Sequence, residues 1–456
     1  MSKNMKKIDH EAFRRCYALE KIELPASLEE LGEMAFYECS SLKTVTWSAK
    51  SKVTKISRYA FGDCTSLEKI TIPNKVTNIA SLAFINCSSL TSIDIPSSVI
   101  EIGNQAFDYC ANLSEVKLHE GLEIIDNSAF RNTSIKKIVL PSTVTRLGLA
   151  AFENCENLRS FSSSGSNLEY IKENTFSNCI NLKEIKLNEG LIEIEKYAFD
   201  QAGLTTIVIP STVERLRSQA FSDCSNLKHA FFLGTPIMDG FDSGSKTTLY
   251  GFKNSTVHDY AKNIGMRFVA IVIPEGLKAT NSNYKHVTLT WKAEGKNKYN
   301  IYRSTSKNGA YQKLDTVTTT SYKDDSIKPG KTYYYYVSIK YEDEDGVLIH
   351  DLKSNIASIK LAPKNVTGSN ADYQTKSKRV KLTWDKSSDA TGYVVYYRDK
   401  STDKWTKIKG TSTNKTLSYT HKLKSNFKNR EYAIRTYKTV NGKNVYSGYK
   451  IIKVSQ

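Results

Sequence analysis

Residues 83–113 read AFINCSSLTSIDIPSSVIEIGNQAFDYCANL and contain the same short phrase twice, 23 residues apart. The phrase is Ala-Phe-x-x-Cys-x-x-Leu, and it begins at Ala83 and again at Ala106. Its aromatic residue recurs at intervals of 22 to 25 residues, as Phe13, Phe36, Phe61, Phe84, Phe107, Phe130, Phe152, Phe176, Phe199 and Phe221. Ten copies at this period predict a solenoid in which each repeat forms one coil.

The apolar pattern inside one repeat indicates a strand and a return turn. Ile93 and Ile95 alternate with polar residues, as in a half-buried strand, and Pro96 ends it because proline cannot donate to a ladder. Val99 then brings an apolar side chain back to the same interior. A single coil cannot bury its apolar side, so the stacked coils must share one core.

The phrase resembles the BspA-like leucine-rich repeat, a class typical of bacterial surface proteins and of some parasite surface proteins. The resemblance covers residues 1–233 and implies a stack of parallel strands on one face of the solenoid. The fold class is therefore expected to be mainly β, with about ten solenoid coils followed by two β-sandwich domains.

All eight cysteines stand three residues after a repeat aromatic, as Cys16, Cys39, Cys64, Cys87, Cys110, Cys155, Cys179 and Cys224. The two other repeats place Thr133 and Ala202 there, so the position favours a small, buried side chain. A spacing near 23 residues does not match zinc ligands, and no metal or cofactor is expected. Stacked coils lie within disulfide reach, but parallel side chains suit the bridge geometry poorly. We expect eight reduced core thiols, which fit a cytosol or an anaerobic exterior.

The repeat pattern breaks after Phe232, and residues 234–273 are expected to cap the array. A cap is needed because the last coil otherwise exposes a sheet edge and apolar core. Residues 255–264 are predicted to form a short helix with Val257, Tyr260 and Ala261 on one side.

Residues 274–362 and 363–456 are predicted to form two β-sandwiches, since alternating strands and turns occur twice. Both segments resemble fibronectin type III domains. The resemblance rests on Trp291 and Trp384 early in each segment and on a Pro-Gly corner at residues 327–333. These aromatic residues are expected in the cores and not in a ligand site.

The net charge of +18 is unevenly distributed. Residues 1–273 have a net charge of −1, residues 274–362 of +4, and residues 363–456 of +15, with 21 Lys and Arg against 6 Asp and Glu. One interpretation is that the last segment docks on an anionic cell-wall polymer through a salt-sensitive surface. The other is a solvated surface without a partner. No specific nucleic-acid partner is expected, because patterns such as RRM, zinc finger and helix-turn-helix are absent.

If Ile93 and Ile95 face the core, Ser92 and Asp94 face outward, and the same register gives an outward row along the solenoid. Such a row is the usual binding surface of a solenoid. Apolar residues enter it in the later coils, beside basic ones. The candidate partner-binding residues are Lys137, Val139, Lys186, Val208, His229 and Phe231. An alternative for Phe231 is that the loop at residues 234–245 covers it.

The sequence contains no P-loop, no H-E-x-x-H, no G-x-S-x-G and no calcium loop, so no catalytic residues are predicted and the chain is not expected to be an enzyme. The N-terminus shows no signal-peptide core, and no stretch is long enough to span a membrane. The first repeat starts almost at once, so either an upstream part is missing or these residues improvise a cap.

The leading hypothesis is a non-catalytic bacterial protein located outside the cell or at its surface. In it the solenoid recognises a protein or glycan partner on a host or neighbouring cell, and the fibronectin-like pair acts as spacer and wall-facing anchor. Two alternatives are an accessory region of a larger secreted enzyme and an intracellular repeat scaffold.

Overall fold

The computed structural model describes all residues except 1, 3, 49, 244–245, 282–285, 296, 329, 343–347, 389, 400–403, 424–429, 441 and 456. The chain divides into two compact units, Met1–Ile271 and Val272–Gln456. The first is a parallel β-solenoid and the second contains two mainly antiparallel β-sandwiches, which confirms the predicted fold class. The division into four segments stays a prediction. Pro329 of the predicted corner lies outside the described residues, as do Gly244 and Ser245 of the loop that is the alternative cover for Phe231.

One strand per coil follows the Leu position of the repeat, and these front strands pair in parallel with the front strand of the adjoining coil. Within a front strand, Ser92 and Asp94 are exposed while Ile93 and Ile95 are buried, as predicted. The front strands are Lys21–Leu24, Thr44–Trp47, Lys69–Ile70, Ser92–Ile95, Glu115–Leu118, Lys137–Val139, Ser160–Ser162, Glu184–Lys186, Thr206–Ile209, His229–Phe232 and Thr248–Gly251, continued by Phe268–Ala270.

A second, two-residue strand in each coil forms the opposite side of the solenoid. Its residues alternate between an outward position and a buried one, as in Glu101–Ile102, because one face meets the shared core. These back strands also pair in parallel, and they are Lys7–Ile8, Glu30–Leu31, Lys55–Ile56, Asn78–Ile79, Glu101–Ile102, Ile124–Ile125, Arg146–Leu147, Tyr170–Ile171, Glu193–Ile194, Arg215–Leu216 and Ile237–Met238.

The repeat phenylalanines form one continuous stack through the core. From Phe13 to Phe221, successive ring centroids lie 5.1 to 5.8 Å apart and the ring planes differ by 9° or less. Phe241 continues the stack at 5.2 Å with a tilt of 40°. The stack therefore extends one ring beyond the ten that the repeat pattern predicts.

The turn edge of the solenoid comprises the residues that surround each repeat Phe, and its backbone is left-handed at two places per coil. These places lie two residues before and two residues after the Phe, as at Gln105 and Tyr109 around Phe107. Asp and Asn are frequent at the second place, for example Asp63 and Asn86, because they tolerate this conformation better than other residues with a Cβ. The turn edge can thus repeat without glycine.

The helix Thr256–Ile264 lies at the predicted position, one residue shorter than expected. The Ser255 hydroxyl accepts a hydrogen bond from the backbone of His258, and Gly265 ends the helix in the left-handed conformation. Val257 and Ala261 are buried, and the Tyr260 hydroxyl accepts a hydrogen bond from the Phe241 amide at 2.7 Å. The helix is thereby fixed on the end of the aromatic stack.

The first sandwich pairs one sheet of three strands with one of five. The first sheet is Glu275–Thr280, Val287–Lys292 and Ser321–Asp324, and the second is Gln312–Val317, Tyr299–Ser304, Thr332–Glu342, Leu348–Lys353 and Ala357–Lys360. Trp291 packs edge-on against Tyr299 in the core, with ring centroids 5.4 Å apart. The Tyr333 hydroxyl accepts a hydrogen bond from the Lys328 amide at 2.8 Å, which is the tyrosine-corner arrangement of such sandwiches.

The second sandwich repeats this plan. One sheet is Asn370–Gln374, Arg379–Thr383, Ser418–Lys422 and Val454–Ser455, with the short 3-10 helix Thr375–Ser377 between the first two strands. The other is Thr406–Gly410, Gly392–Asp399, Arg430–Val440, Lys443–Tyr446 and Lys450–Ile452. Trp384 packs edge-on against Tyr393 at 5.4 Å, as Trp291 does on Tyr299. Both sandwiches are fibronectin type III-like, as the sequence predicts.

Candidate recognition surface

Three of the six candidate residues lie together on the front of the solenoid. Lys137 aligns with Glu184 through the intervening strand, and Val139 aligns with Lys186 in the same way. Lys137 and Lys186 are exposed, and the Val139 side chain is 52% exposed. The front of these coils therefore presents one uncovered aliphatic residue among basic and acidic side chains.

The other three candidate residues lie on the next front sheet, where Val208 aligns with Phe231 and Thr206 with His229. Val208 and His229 are half-buried. The prediction that Phe231 is exposed is wrong, because its side chain is fully buried. Its ring stacks on Tyr250 of the adjoining strand, with centroids 4.1 Å apart and planes 14° apart. The same tyrosine hydroxyl lies 3.2 Å from the Nδ1 atom of His229.

Phe231 is buried because the following strand also carries a large aromatic residue in the outward column. The strand register predicts that the Phe231 side chain points outward, but it does not predict that the ring of Tyr250 covers this side chain. The exposed apolar surface at the later coils is consequently smaller than expected. Val139 remains the most exposed apolar residue of the six candidates.

The thiols line the core and none of the eight forms a disulfide. Seven are fully buried, while Cys16 of the first coil is half-buried. Each buried thiol from Cys39 onward donates to the carbonyl of the Phe one coil earlier, as Cys87 Sγ does to Phe61 at 3.1 Å; Cys155 does so at 3.2 Å. Burial raises the pKa of Cys155 to about 11 and that of Cys224 to about 12. Thiols that stay protonated are poor nucleophiles and poor metal ligands.

No cluster of three or more metal-ligating side chains occurs in the part of the chain that the structure describes. The acidic residue with the greatest burial in the solenoid, Asp108, is a structural partner. Its carboxylate accepts hydrogen bonds from Nε and Nη2 of Arg131 and from the Asn132 and Gln105 amides, at 2.7 to 3.2 Å. This pair links adjoining coils at the turn edge.

Two surface features lie outside the sequence-based candidates. The first is a pair of open cavities on the turn edge, next to Thr133 and to Ala202. The second is a stack of aromatic and arginine side chains on the second sandwich. The two cavities have a signal in the sequence, which is the absence of Cys at two repeats. The residues of the stack are too far apart in the chain to form a motif.

The arginine–aromatic stack consists of Arg398, Trp405, Tyr449, Arg435 and Tyr446. The Trp405 and Tyr449 rings are parallel within 15° at 5.2 Å. The Arg398 guanidinium lies 4.7 Å from the Trp405 ring, and the Arg435 guanidinium lies 4.7 Å from the Tyr449 ring and 4.9 Å from the Tyr446 ring. Cation–π contacts of this kind hold a guanidinium in place at a surface.

The two arginines of the stack differ in their other partners. Arg398 is paired with the Glu431 carboxylate at 2.8 Å, so much of its charge is compensated. Arg435 donates from Nε to the Ser447 carbonyl at 2.7 Å, and that bond leaves its charge uncompensated. Lys407 is exposed and aligns with Tyr396, whose ring meets Tyr449 edge-on at 5.1 Å. The face of this sheet is therefore positively charged and aromatic.

The fold and its surfaces define a repeat protein whose coils present side chains on a rigid core. The family model of the BspA type leucine rich repeat region matches in six copies, at residues 1–110, 47–159 and 150–239. These matches cover just over half of the chain, and the chain belongs to this family. Proteins of the family are cell-surface or secreted leucine-rich-repeat proteins. Among the described residues, no helix is both long and apolar enough to cross a membrane.

Similar solved structures and one curated protein match separate parts of the chain. A leucine rich cell surface protein from Faecalibacterium prausnitzii is 23% identical, with a TM-score of 0.36, over 58% of this chain and 82% of that chain. An Fn3-like protein from Clostridium thermocellum is 38% identical, with a TM-score of 0.17, over 19% of this chain and 88% of that chain. An amylopullulanase of Thermoanaerobacterium saccharolyticum is 37% identical over 76 residues, which are 16% of this chain and span only 6% of that protein.

Proposed function

We propose that this chain is a non-catalytic recognition protein of the bacterial cell surface, which binds a protein or glycan partner through the front of its solenoid. The observation that carries the proposal is the separation of core and surface. The core positions repeat the same residues coil after coil, while the outward row changes from coil to coil. A rigid backbone with variable outward side chains is the arrangement by which solenoids recognise partners.

The contact area on the front is centred on Val139, Lys137 and Lys186. An exposed aliphatic side chain supplies area that is released from water on binding, and the flanking lysines supply orientation and favour an acidic partner. Val208 and His229 extend this area by their exposed halves. Phe231 contributes indirectly, because its ring stacks on Tyr250, whose hydroxyl lies within hydrogen-bond distance of His229 Nδ1.

The binding role of the front is tested with two matched substitutions in the full chain. Val139→Asp places a charge in the proposed contact area, and Ile100→Asp places the same charge at a second exposed aliphatic residue, 45% exposed, just before a back strand. Labelled protein is added to epithelial cells and to a panel of bacterial cells, and bound label is measured. We expect Val139→Asp to reduce binding and Ile100→Asp to leave it unchanged; equal effects would contradict a role of the front.

The second sandwich is proposed to act as the wall-facing anchor, with the first sandwich as spacer. The support is the net charge of +15 at residues 363–456 together with the arginine–aromatic stack, which holds the Arg435 guanidinium against the Tyr449 ring. Phosphate and carboxylate groups of an anionic cell-wall polymer are suitable ligands for guanidinium groups, and such binding weakens as salt rises.

The anchor proposal is tested by co-sedimentation of the full chain with purified bacterial cell walls at low and raised salt. Arg435→Ala removes a guanidinium stacked on tyrosine rings in the basic sandwich. Arg58→Ala removes one stacked on the Tyr59 ring at 4.8 Å in the nearly neutral solenoid. The expected result is that salt releases the protein and that only Arg435→Ala lowers the pelleted fraction. Sedimentation that neither salt nor Arg435→Ala changes would exclude the anchor.

A second candidate function is a non-catalytic accessory region of a larger secreted enzyme. It is favoured by the match to 76 residues of the amylopullulanase, a small part of that protein. The two candidates are separated by the gene: an open reading frame that continues upstream into a hydrolase domain favours the accessory region. An intracellular scaffold, the third hypothesis, is excluded if the protein is recovered from the medium or the cell surface.

A further inference from the structure

The two coils that lack the repeat cysteine are also shortened at the following turn. In the other eight coils the Leu position lies six residues after the Phe, as Leu113 does after Phe107. In the two exceptional coils, Ile135 and Leu204 occupy this position only five residues after Phe130 and Phe199. The full-length coils form a two-residue turn after the cysteine, for example at residues 111–112, and the short coils lack it.

Each missing turn leaves an open cavity on the turn edge. The N-terminal notch, of 350 Å³, is lined by residues that include Thr133, Ser134 and Asn154. The C-terminal notch, of 610 Å³, is lined by residues that include Ala202, Gly203 and Asp223. The missing turn and the cavity occur together for a structural reason. A coil without the outward turn cannot fill the space between the turns of its two neighbours.

The shortened coils are built to lie close against the preceding coil. A Cβ atom at Gly203 would overlap the carbonyl group of Ile180, so glycine is required there for the chain to follow the short path. The Gly203 amide donates to the Cys179 carbonyl at 3.1 Å, and the Thr133 hydroxyl donates to the Phe130 carbonyl at 2.8 Å. Both notches thus have a fixed floor of backbone and small side chains.

Oriented amide groups line the N-terminal notch. The Asn154 side-chain amide donates to Asn132 Oδ1 at 2.9 Å, and the Asn178 amide donates to Asn154 Oδ1 at 3.1 Å. Each such amide carries a second N–H, since Asn has two donors and uses one of them in this ladder. The ladder fixes the planes of the amides before any ligand arrives, which lowers the entropic cost of binding.

The C-terminal notch combines polar and aliphatic groups. Asp223, Gln201 and Asn226 are exposed at its rim, and the exposed Asp242 also lines it. The Ile180 side chain is 47% exposed and contributes an aliphatic surface to the same cavity. The residues that line either notch include no lysine or arginine, so the notches do not attract polyanions.

We infer that the two notches form a binding site for an uncharged carbohydrate chain, with the C-terminal notch as the main subsite. Sugar hydroxyls both donate and accept, so they pair with carboxylates, which accept, and with amides, which do both. The C–H face of a sugar ring packs on the exposed side chain of Ile180. The two notches are three coils apart on the same edge, about 17 Å judged from ring spacings of 5.6, 5.8 and 5.3 Å.

The inference goes beyond the proposed recognition by the front, since it concerns a different side of each coil. A polymer that runs along the solenoid axis reaches both notches, and the second contact raises the apparent affinity of a long chain over a short one. The shallow, open form of the cavities implies weak binding of each single unit.

The test uses the full chain with chitotetraose and cellotetraose as neutral probes, and binding is followed by ligand-observed NMR and calorimetry. Asp223→Asn removes the carboxylate from the C-terminal notch and keeps a residue that tolerates the local φ of 51°. Asp63→Asn makes the same change at the equivalent place of a coil that borders neither notch, where φ is 55°. We expect Asp223→Asn to weaken binding about tenfold, the loss of one charged hydrogen bond, and Asp63→Asn to leave it unchanged.

A second variant keeps the inference testable if Asp223→Asn fails to fold. One Asn inserted between Gly203 and Leu204 restores the full coil length, fills the C-terminal notch and should abolish binding there. The inference is overturned if neither oligosaccharide binds, if Asp223→Asn and Asp63→Asn behave alike, or if only a basic peptide binds and salt abolishes that binding. Val139→Asp serves as a further control, because it should leave oligosaccharide binding intact whether or not the front recognises a partner.

Discussion

Replacement of a single ring in the middle of the aromatic stack is expected to destabilise the solenoid far more than replacement at its end. Phe107 is fully buried and stacks on Phe84 at 5.1 Å and on Phe130 at 5.3 Å. Phe107→Ala therefore removes two ring contacts and leaves a cavity between coils. A change of this kind in a core costs about 3–5 kcal/mol of unfolding free energy.

The matched control is Phe13→Ala at the first ring of the stack. Phe13 is half-buried and has one stacking neighbour, Phe36 at 5.1 Å. It loses one ring contact and less buried area, so its expected cost is about 1–2 kcal/mol. In an array where each coil contacts only its neighbours, the difference between the two variants measures the number of interfaces that a ring serves.

Thiol labelling reads out this prediction for the solenoid alone, because all eight cysteines lie between Cys16 and Cys224. In rising denaturant, buried thiols react with a maleimide probe only after their coils open. We expect Phe107→Ala to raise the labelling of the central cysteines about a hundredfold or more, and Phe13→Ala to change it about tenfold. Equal effects, or a loss below about 1 kcal/mol for Phe107→Ala, would refute the view that the rings form one cooperative stack.

Three further predictions concern titration and the sandwich cores. Burial raises the pKa of Cys155 to about 11 from 9.0, so between pH 9 and 11 this thiol ionises only in the unfolded chain. The free energy of unfolding should therefore fall by up to about 1.4 kcal/mol per pH unit over this range. Cys155→Ala should reduce this slope in pH-dependent denaturation. Burial acts to raise the pKa of Asp324, but hydrogen bonds from Ser326, Tyr335 and Arg303 outweigh it and lower this pKa. The first sandwich should therefore lose stability as pH falls below about 4. Asp324→Asn removes the buried carboxylate that pairs with the half-buried Arg303 guanidinium, and it should cost about 3 kcal/mol at neutral pH by peptide-resolved hydrogen exchange. Tyr333→Phe removes the acceptor of the corner hydrogen bond and should cost about 1 kcal/mol in the same assay, with no effect on the solenoid.

The repeat architecture was predictable because the core residues of each coil occur at fixed positions within its own short stretch of sequence. A period of 22 to 25 residues with fixed Phe, Cys and Leu positions leaves one way to bury them, which is to stack them. The helix at residues 255–264 was predicted from its apolar side, and the structure places it at Thr256–Ile264. The inward and outward directions of Ile93 and Asp94 also followed from strand alternation alone.

Contacts between distant residues were beyond such patterns. The burial of Phe231 depends on Tyr250, which belongs to the next strand of the stack and reaches over it. The arginine–aromatic stack joins Arg398, Trp405 and Tyr449 from three separate strands or turns, and no spacing in the sequence identifies it. Strand alternation tells which way a side chain points, but it does not tell what covers it.

The sequence by itself determined the period, the composition of the core and the identity of the positions that face outward, because these depend on interactions that repeat within one coil. Only the tertiary structure decided which outward positions are surface and where the surface is hollow. The notches at Thr133 and Ala202 show the physical reason. A cavity is a property of neighbouring coils together, and a turn that is one residue short becomes a cavity only when the coils on either side keep their full length.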